Sequence, residues 1–468
     1  DGIADRSTVF ADHFNGPLEG TGAGVLALAD GVFYTCIPSL WKLKDSDNDE
    51  KADLRSKVFY GFGVRYAFRG HDLHGLIQGP DGRIYFSVGD RGYHIEQDGQ
   101  TFSNPESGAV FRCELDGTNL EVIATGLRNP QELAFDDYGN LFTGDNNSDS
   151  GDRARLVYIL PGSDSGWRMA YQYLDDRGPF NREKIWHPHH QGQPAYIVPP
   201  VANFADGPSG FTYYPGTGWG KSYRGTFFLC DFRGTPSQSG IRTFRVTPSG
   251  AFFNLEDTGK PIWHTLATDA KFGPDGALYV SDWVNGWEGE GKGRIYRITH
   301  HGNHPAIRQV QQMLNNGMDR LSLIQLAELL NHDDQRIRLR AQWNIAKRDA
   351  DQSLPVLIAA AASGRTLFAR LHGLWGWGQV IRRTGAGDSL KSAIPLLQDP
   401  EPQVRAHTAA LLGNAHHAAA WQQLIHCLKD ENRRVQMYAS FALAKIPRPD
   451  VVTPLLKVLK DNNDQDPA

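Results

Sequence analysis

Five polar side chains in the first third of the chain are of the types that catalytic sites use. Arg128, Asn129 and Gln131 stand in one Arg-Asn-Pro-Gln segment, and His71 and Asp90 lie upstream. An imidazole beside a carboxylate can take a proton from an alcohol, and a guanidinium with neighbouring amides can hold a quinone. All five lie next to glycine-rich turns, where a rigid scaffold often presents functional groups. If they converge in space, the pattern predicts an oxidoreductase; if they do not, it predicts a binding scaffold.

Composition narrows the class of protein further. The 468 residues are enough for two or three domains, and the hydrophobic share of 40% is typical of globular proteins. The net charge is −5 and no long basic run occurs, so nucleic acid is not an expected partner. The longest apolar run, 354–362, is well below the roughly 18 residues of a membrane span. The polar stretch that opens at Asp1 is not a signal peptide.

Glycine-rich turns recur through the first 300 residues and predict a repeated sheet. The segment Gly-Pro-Asp-Gly occurs at 79–82 and 273–276, each time before a short apolar and aromatic run, with weaker copies at 137–140 and 29–31. Such turns before strand-like runs are typical of antiparallel strands. Copies about 40 to 60 residues apart match the length of a propeller blade. We therefore predict a β-propeller over residues 1–302, with six blades.

The remaining chain has a helical pattern. Only eight of the 50 glycines follow residue 303. Leu397, Leu428 and Leu459 recur in phase, together with aspartates spaced by 31 residues. Paired helices of this length, each unable to bury its own apolar stripe, are typical of a solenoid. We predict HEAT-like repeats over residues 303–468 that pack against the propeller and offer a concave face to another protein.

An aspartate-rich loop is a candidate metal site. Asp45, Asp47, Asp49 and Asp53 form the pattern D-x-D-x-D-x-x-x-D, with the carbonyl of Lys51 at the seventh position. Oxygen ligands at alternating positions suit calcium. The pattern lacks the closing glutamate of an EF-hand and is closer to the loops of thrombospondin or dockerin repeats. The alternative is a solvated acidic turn without an ion.

Several motifs occur together in the order of a known family. His71 is followed by the first Gly-Pro-Asp-Gly turn and by Gly-Asp-Arg-Gly at 89–92. Further on come Gly-Leu-Arg-Asn-Pro-Gln at 126–131, the loop 144–149, Gly-Trp at 166–167 and Pro-Ser-Gly at 208–210. Over roughly residues 60–298 the chain resembles the soluble quinoprotein glucose and sorbosone dehydrogenases, which are six-bladed propellers.

The resemblance implies a function for each catalytic candidate. His71 would be the general base that takes the hydroxyl proton of a sugar or related alcohol as hydride passes to pyrroloquinoline quinone. Asp90 would orient the imidazole, and Arg128 would polarise the quinone carbonyl.

The same resemblance implies cofactor and metal ligands. Asn129 and Gln131 would hydrogen-bond the cofactor or its loop. Asp145 and Asn146 belong to the loop 144–147, whose backbone carbonyls would bind calcium. The family's cations for the cofactor carboxylates are mostly missing, and Arg233, with Lys271 as a further candidate, could substitute.

The joint occurrence of propeller, Asp loop and helical repeats resembles the large propeller-HEAT "membrane-bound dehydrogenase" proteins of planctomycetes and relatives. That resemblance implies a periplasmic or secreted protein and a cytochrome module as a partner, although no haem-attachment motif occurs in this chain. Two alternatives stay open. One is a non-catalytic, calcium-stabilised module that binds carbohydrate or protein. The other is an enzyme of the same fold that has lost the quinone and uses His71 and Asp90 otherwise.

Overall fold

The computed structural model describes residues 5–63, 70–187, 197–288, 291–300 and 306–462. Strands occupy the first part of the described chain and helices the second. The strands are β1 (Gly22–Leu28), β2 (Gly31–Cys36), β3 (Ser39–Lys44), β4 (Leu54–Tyr60), β5 (Leu73–Gln78), β6 (Ile84–Val88), β7 (Tyr93–Gln97), β8 (Gln100–Asn104), β9 (Gly108–Cys113), β10 (Glu121–Leu127), β11 (Pro130–Phe135), β12 (Leu141–Asp145), β13 (Arg155–Tyr158), β14 (Ser163–Asp164), β15 (Ala202–Asn203), β16 (Pro208–Tyr213), β17 (Phe227–Asp231), β18 (Gly240–Ser249), β19 (Phe252–Trp263), β20 (Ala267–Phe272), β21 (Leu278–Asp282) and β22 (Arg294–Ile298).

Five of the sheets are propeller blades whose inner strands pack side by side in the order β1, β5, β11, β16, β20. The blades are β1–β2–β3–β4, β5–β6–β9–β10–β14, β11–β12–β13–β15, β16–β17–β18–β19 and β20–β21–β22. The prediction of a propeller is confirmed, but the prediction of six blades was wrong: the described residues form five. Insertions account for the difference. The hairpin β7–β8 interrupts the second blade, and the segment 165–201 interrupts the third, so fewer blades use the same length of chain.

The direction of the strands defines two ends of the propeller. Each inner strand is followed along the chain by a strand that returns antiparallel to it, so the connections between these two strands share one end. The turns 79–82 and 273–276 join β5 to β6 and β20 to β21, so they share one end, which we call the turn end. His71, Asp90 and Arg128 lie at the opposite end, which we call the site end. The blade topology therefore brings the predicted catalytic residues to one face.

Packed aromatic rings fill the space between the first two blades. The rings of Phe86 and Phe111 are stacked with centroids 5.2 Å apart, and Phe62 meets both edge-on. All three side chains are fully buried. Burial of such a side chain stabilises the fold by about 1.5–3 kcal/mol, and edge-to-face pairs add further stability.

The helices follow and pack against one another. The short α1 (Gly178–Asn181) belongs to the insertion in the propeller; the others are α2 (Ala306–Asn316), α3 (Leu323–Leu329), α4 (Gln335–Ala346), α5 (Ala350–Ser363), α6 (Leu367–Thr384), α7 (Pro402–Asn414), α8 (Trp421–Cys427), α9 (Arg433–Ala444) and α10 (Val452–Asp461). Side-chain caps begin several of them, as at Ser322, whose hydroxyl accepts from the amide of Gln325. Leu428 is buried as its phase predicts, whereas the in-phase Leu459 of α10 is 69% exposed.

The solenoid docks on the turn end of the propeller. Gln342 of α4 donates to the carbonyl of Pro80 at 2.6 Å, and Arg382 of α6 donates to the carbonyl of Asp81 at 2.7 Å. Arg434 of α9 donates to Oδ1 of Asn140 at 2.6 Å. The turns that marked the blades in the sequence are thus also the contact points of the helices. Across the part of the chain that the structure describes, no helix has the length and apolar character needed to span a bilayer.

Candidate active site at the end of the propeller

A histidine–aspartate pair lies at the centre of the site. His71 Nδ1 and Asp90 Oδ1 are 2.7 Å apart, and the indole nitrogen of Trp167 donates to Asp90 Oδ2 at 2.8 Å. Asp90 and Trp167 are buried, whereas the His71 side chain is 19% exposed. Among the described residues Nε2 of His71 has no hydrogen-bond partner. The carboxylate thus fixes the ring through Nδ1 and leaves Nε2 for a proton from a ligand.

The charge of Asp90 suits this arrangement. Burial raises the pKa of Asp90. The hydrogen bonds from His71 and Trp167 and the charges of His71 and Arg128 together lower it by more, so the pKa of Asp90 lies below its usual range. Asp90 is therefore a carboxylate at neutral pH. A buried carboxylate beside an imidazole stabilises the imidazolium that forms when the ring accepts a proton.

Other blades also have an aspartate at the end of their second strand, but with a different role from Asp90. Asp145, Asp231 and Asp282 each lie opposite the first residue of their inner strand, which is Pro130, Pro208 or Ala267. Each accepts hydrogen bonds from the backbone amides that precede this strand; the donors are Arg128 and Asn129, Asp206 and Gly207, and Leu266. These three aspartates cap loops.

Asp90 does not cap the loop before its inner strand, because the pairing of β5 with β6 is shifted relative to the other blades. Val88 pairs with Leu73 at the start of β5, so Asp90 lies two residues further on and meets the His71 side chain instead of a backbone amide. The loop before β5 is capped by His74, whose Nε2 accepts from the amide of Asp72 at 3.1 Å. Burial lowers the pKa of His74 to about 3, which keeps its ring neutral and able to accept.

Arg128 joins this cluster through Trp167. Its guanidinium lies over the indole ring, 5.4 Å from the centroid, and its carbonyl accepts from the amide of Asp90 at 2.7 Å. The guanidinium donates to the carbonyl of Asn147 and to the side chains of Asp149 and Gln172. The structure therefore brings His71, Asp90 and Arg128 together around Trp167. The sequence motif Gly-Trp pointed to Trp167, but nothing in the sequence indicated that it binds Asp90.

The predicted cofactor ligands are spread more widely. Asn129 is buried, and its Oδ1 has no hydrogen-bond partner among the described residues. Gln131 is half-buried on the inner strand β11. Arg233 lies at the same end but follows β17 in the fourth blade. Arg233 reaches the cluster around Trp167 indirectly: it pairs with Asp206, which accepts from the side-chain amide of Asn147 at 2.7 Å, and the carbonyl of Asn147 accepts from Arg128.

The cations at this end do not fit a tricarboxylate quinone as they are arranged. The guanidinium of Arg128 faces Asp149, and Nε of Arg233 lies 3.3 Å from Asp231 and 3.5 Å from Asp206. The ammonium of Lys271 lies 2.9 Å from a carboxylate oxygen of Glu132. Each candidate cation therefore already has a carboxylate partner from this chain. The histidine–aspartate pair fits the proton chemistry of the family, whereas the cation set does not fit its cofactor.

The aspartate-rich loop is partly assembled for a cation. Carboxylate oxygens of Asp45, Asp47 and Asp49 lie within 4.8 Å of one another. Asp53 is not part of that group, since its carboxylate accepts from the amide and the hydroxyl of Ser46. The amide of Lys51 donates to Asp49 at 2.8 Å, which holds the loop closed. Calcium at this loop stays a prediction.

The side chains of the loop after β12 are hydrogen-bonded within the protein. Both carboxylate oxygens of Asp145 accept hydrogen bonds, from the amides of Arg128 and Asn129 and from the guanidinium of Arg155. Asp145 is fully buried, so its carboxylate is already satisfied by protein donors, whereas calcium at the backbone carbonyls of this loop stays a prediction. Oδ1 of Asn146 accepts from the amide of Asn147 at 3.0 Å. Asp145 therefore caps the Arg128 loop.

Asp72, next to His71, gives a testable dependence of stability on pH. It is buried beside Arg91, and burial raises the pKa of Asp72 to about 7 although the Arg91 charge lowers it. The folded chain binds this proton more tightly than the unfolded chain, so the stabilisation is complete below pH ~4 and is lost as pH rises through about 7. We expect Asp72→Asn to raise the free energy of unfolding at pH 8, by roughly 4 kcal/mol at most, since each pH unit is worth ~1.4 kcal/mol. Urea unfolding at pH 4 and pH 8 measures this; an equal effect at both values would contradict it.

Comparisons with known proteins found a related sequence and several similar structures. A 136-residue stretch is 29% identical to the quinoprotein glucose dehydrogenase B of Acinetobacter calcoaceticus, which is 23% of this chain and 28% of that protein. The chain thus spans less than a third of the relative. A solved glucose dehydrogenase aligns with 62% of this chain and 84% of its own, at 15% identity and a TM-score of 0.43. The PQQ-bound aldose sugar dehydrogenase of Streptomyces coelicolor aligns with 61% and 81%, at 20% identity and a TM-score of 0.39.

Two family models match the chain. The model of HEAT repeats matches residues 390–467, which confirms the repeat type predicted for the helices. The model described as a domain of unknown function, DUF7133, matches residues 1–287 and so covers the propeller strands β1 to β21 together with the pair His71 and Asp90. The chain belongs to the DUF7133 family.

Proposed function

We propose that the site end is the active site of an oxidoreductase of the quinoprotein sugar dehydrogenase type, acting on a hydroxyl group of a sugar or related alcohol. The hydrogen bond of 2.7 Å between His71 Nδ1 and Asp90 Oδ1 supports this most directly, because it leaves Nε2 without a partner among the described residues. The similarity to the Acinetobacter glucose dehydrogenase supports the substrate class.

The roles of the chain's own residues follow from this proposal. Nε2 of His71 accepts the hydroxyl proton, and Asp90 stabilises the imidazolium that results. Trp167 holds the second oxygen of Asp90 and so keeps the carboxylate turned towards His71. Arg128 places a positive charge beside the same cluster, where it stabilises negative charge that develops on a bound molecule.

Pyrroloquinoline quinone is the electron acceptor that the similarity suggests, and the ion pairs of this chain argue against it. Its carboxylates would have to compete with Asp149 for Arg128, and with Asp206 and Asp231 for Arg233. The proposal therefore assigns the proton-handling residues and treats the acceptor as a question for the assay.

A dye-reduction assay tests the proposal. The protein is incubated with calcium, with and without pyrroloquinoline quinone, and is offered a panel of aldoses, polyols and simple alcohols. Dye reduction with at least one substrate supports the oxidoreductase, and its dependence on the added quinone identifies the acceptor. Absence of reduction across the panel under both conditions would contradict the proposal.

A second candidate is a binding module, or an enzyme of the same fold, that has no quinone. The pairing of Arg128, Arg233 and Lys271 with carboxylates favours it, because a neutral ligand such as a carbohydrate needs no free cation. Calorimetry separates the two candidates. The second predicts heat of binding with a sugar and none with the quinone, together with no dye reduction.

Calcium is part of the proposal through the loop of Asp45, Asp47 and Asp49. We expect calcium at about 100 times its dissociation constant to stabilise the protein by roughly 2.7 kcal/mol. Asp47→Asn should remove this calcium-dependent rise in melting temperature, whereas Asp30→Asn, the same charge change on another turn, should keep it. Equal rises in both variants would place the ion elsewhere.

The resemblance to propeller-HEAT proteins extends the proposal to location and partners. We place the protein in the periplasm or outside the cell, with a cytochrome module or another protein docking on the HEAT repeats. Helices α4, α6 and α9 already contact the propeller, so we place the docking surface on helices that do not face it.

A further inference from the structure

A cavity lies between the propeller and the solenoid, at the turn end. Its volume is about 390 Å³, which falls within the range of small-molecule sites, and domain boundaries are common places for such sites. Its walls are mainly apolar and include the rings of Tyr85, Phe135 and Tyr158 of the propeller and of Trp375, Tyr438 and Phe441 of the solenoid. Hydrogen bonds from Gln342 to Pro80 and from Arg434 to Asn140 join the two domains, so the walls are held in place.

The wall also contains positive charge that this chain does not balance. Arg112 lines the cavity together with Lys445. Arg112 and the adjacent Arg83 share two carboxylates, Asp81 and Glu121, so these four charges cancel. Nζ of Lys445 donates to the neutral amide of Asn414 at 2.5 Å, and no carboxylate of the described chain lies within 4.0 Å of it.

Two further observations agree with an uncompensated cation here. Burial lowers the pKa of Lys445, and the charges of Arg112 and Arg83 lower it further, against the weaker effect of Glu121. Nε of Arg112 is buried without a hydrogen-bond partner in the part of the chain that the structure describes. An anionic group beside Lys445 would relieve the repulsion and accept hydrogen bonds.

We propose that this cavity binds a small molecule with an aromatic or other apolar body and one anionic group, which Lys445 receives. The aromatic walls bury the body, and the ammonium group orients the molecule. Such a ligand differs from a sugar or polyol, and it lies at the end of the propeller opposite to His71. It touches both domains at once, so its binding stabilises the docking of the solenoid.

Two dyes of the same shape test the proposal with the whole chain. 1-Anilinonaphthalene-8-sulfonate carries an anionic group, and N-phenyl-1-naphthylamine is its uncharged counterpart. We expect Lys445→Met to weaken binding of the sulfonate about tenfold, the effect of about 1.4 kcal/mol, and to leave the uncharged dye unchanged. Lys457→Met is the matched control, since it removes an exposed lysine on α10 that pairs with Asp461, and it should affect neither dye.

A second variant tests the place of binding. Ala410 lines the cavity on α7, and Ala410→Phe fills space there and should weaken both dyes at least about tenfold. Competition on the unmodified protein gives a measurement that does not depend on the folding of a variant: 2-naphthoate should displace the sulfonate dye, and 2-naphthylmethanol should not. Unchanged sulfonate affinity in Lys445→Met, or equal displacement by the acid and the alcohol, would overturn the proposal.

Discussion

Replacing His71 with Ala is expected to lower turnover by about 10²- to 10⁴-fold, the usual contribution of a general base. The physical reason is the loss of Nε2, which accepts the substrate proton, while Asp90 and Trp167 stay in place. The rate of dye reduction with saturating substrate measures the effect. The melting temperature should fall only modestly, because buried Asp90 loses its hydrogen bond to His71 but keeps the one from Trp167.

Two further variants distinguish catalysis from support. Trp167→Phe keeps a buried ring but removes the donor to Asp90, so we expect a smaller loss of turnover and a changed pH profile. His94→Ala removes an exposed histidine on β7 and serves as the matched control, with no expected change in turnover. If His71→Ala kept more than about a tenth of the activity, general-base catalysis by this residue would be excluded.

Replacing Asp145 with Ala is expected to destabilise the protein by about 3–5 kcal/mol, the effect of leaving one member of a buried ion pair alone. Arg155 would stay 2% exposed without its carboxylate, and the amides of Arg128 and Asn129 would lose their acceptor. Urea unfolding at equilibrium measures the loss. Because Asp145 caps a loop, we expect the same loss with calcium and with a chelator.

The comparison variant for this prediction is Asp149→Ala. Asp149 also meets an arginine of the site, but its side chain is 56% exposed, so its removal should cost about 1 kcal/mol or less. A loss for Asp145→Ala that vanished in the chelator would show that Asp145 acts as a metal ligand, as the family resemblance implied.

The sequence predicted the features that local patterns determine. The Gly-Pro-Asp-Gly turns at 79–82 and 273–276 fix the start of β6 and β21, because a left-handed glycine ends each turn, as at Gly82. The order of motifs also identified His71, Asp90 and Arg128, which lie at strand ends where a blade repeats. The helical period was sufficient to predict helices after the propeller, and Leu428, which directly follows α8, is buried as expected.

The sequence did not predict the features that depend on distant partners. Five blades instead of six result from insertions at β7–β8 and 165–201, and the spacing of turns alone does not separate an insertion from a blade. The pairing of Arg128 with Asp149, and of Lys271 with Glu132, joins residues that no spacing rule connects. The role of Asp90 depends on a register difference of two residues, which only the strand pairing reveals.

The docking of the helices on four consecutive blades has a mechanical consequence. Gln342 reaches the second blade, Gln335 the third through the carbonyl of Asp136, and Arg336 the fifth through the carbonyl of Gly273. The amide of Gln335 also meets Pro215 of the fourth. The solenoid thus links these blades at the turn end, and neighbouring blades cannot separate unless several of these hydrogen bonds break together. We therefore expect the propeller and the solenoid to unfold in a single step. The site end carries none of these contacts and stays open to solvent.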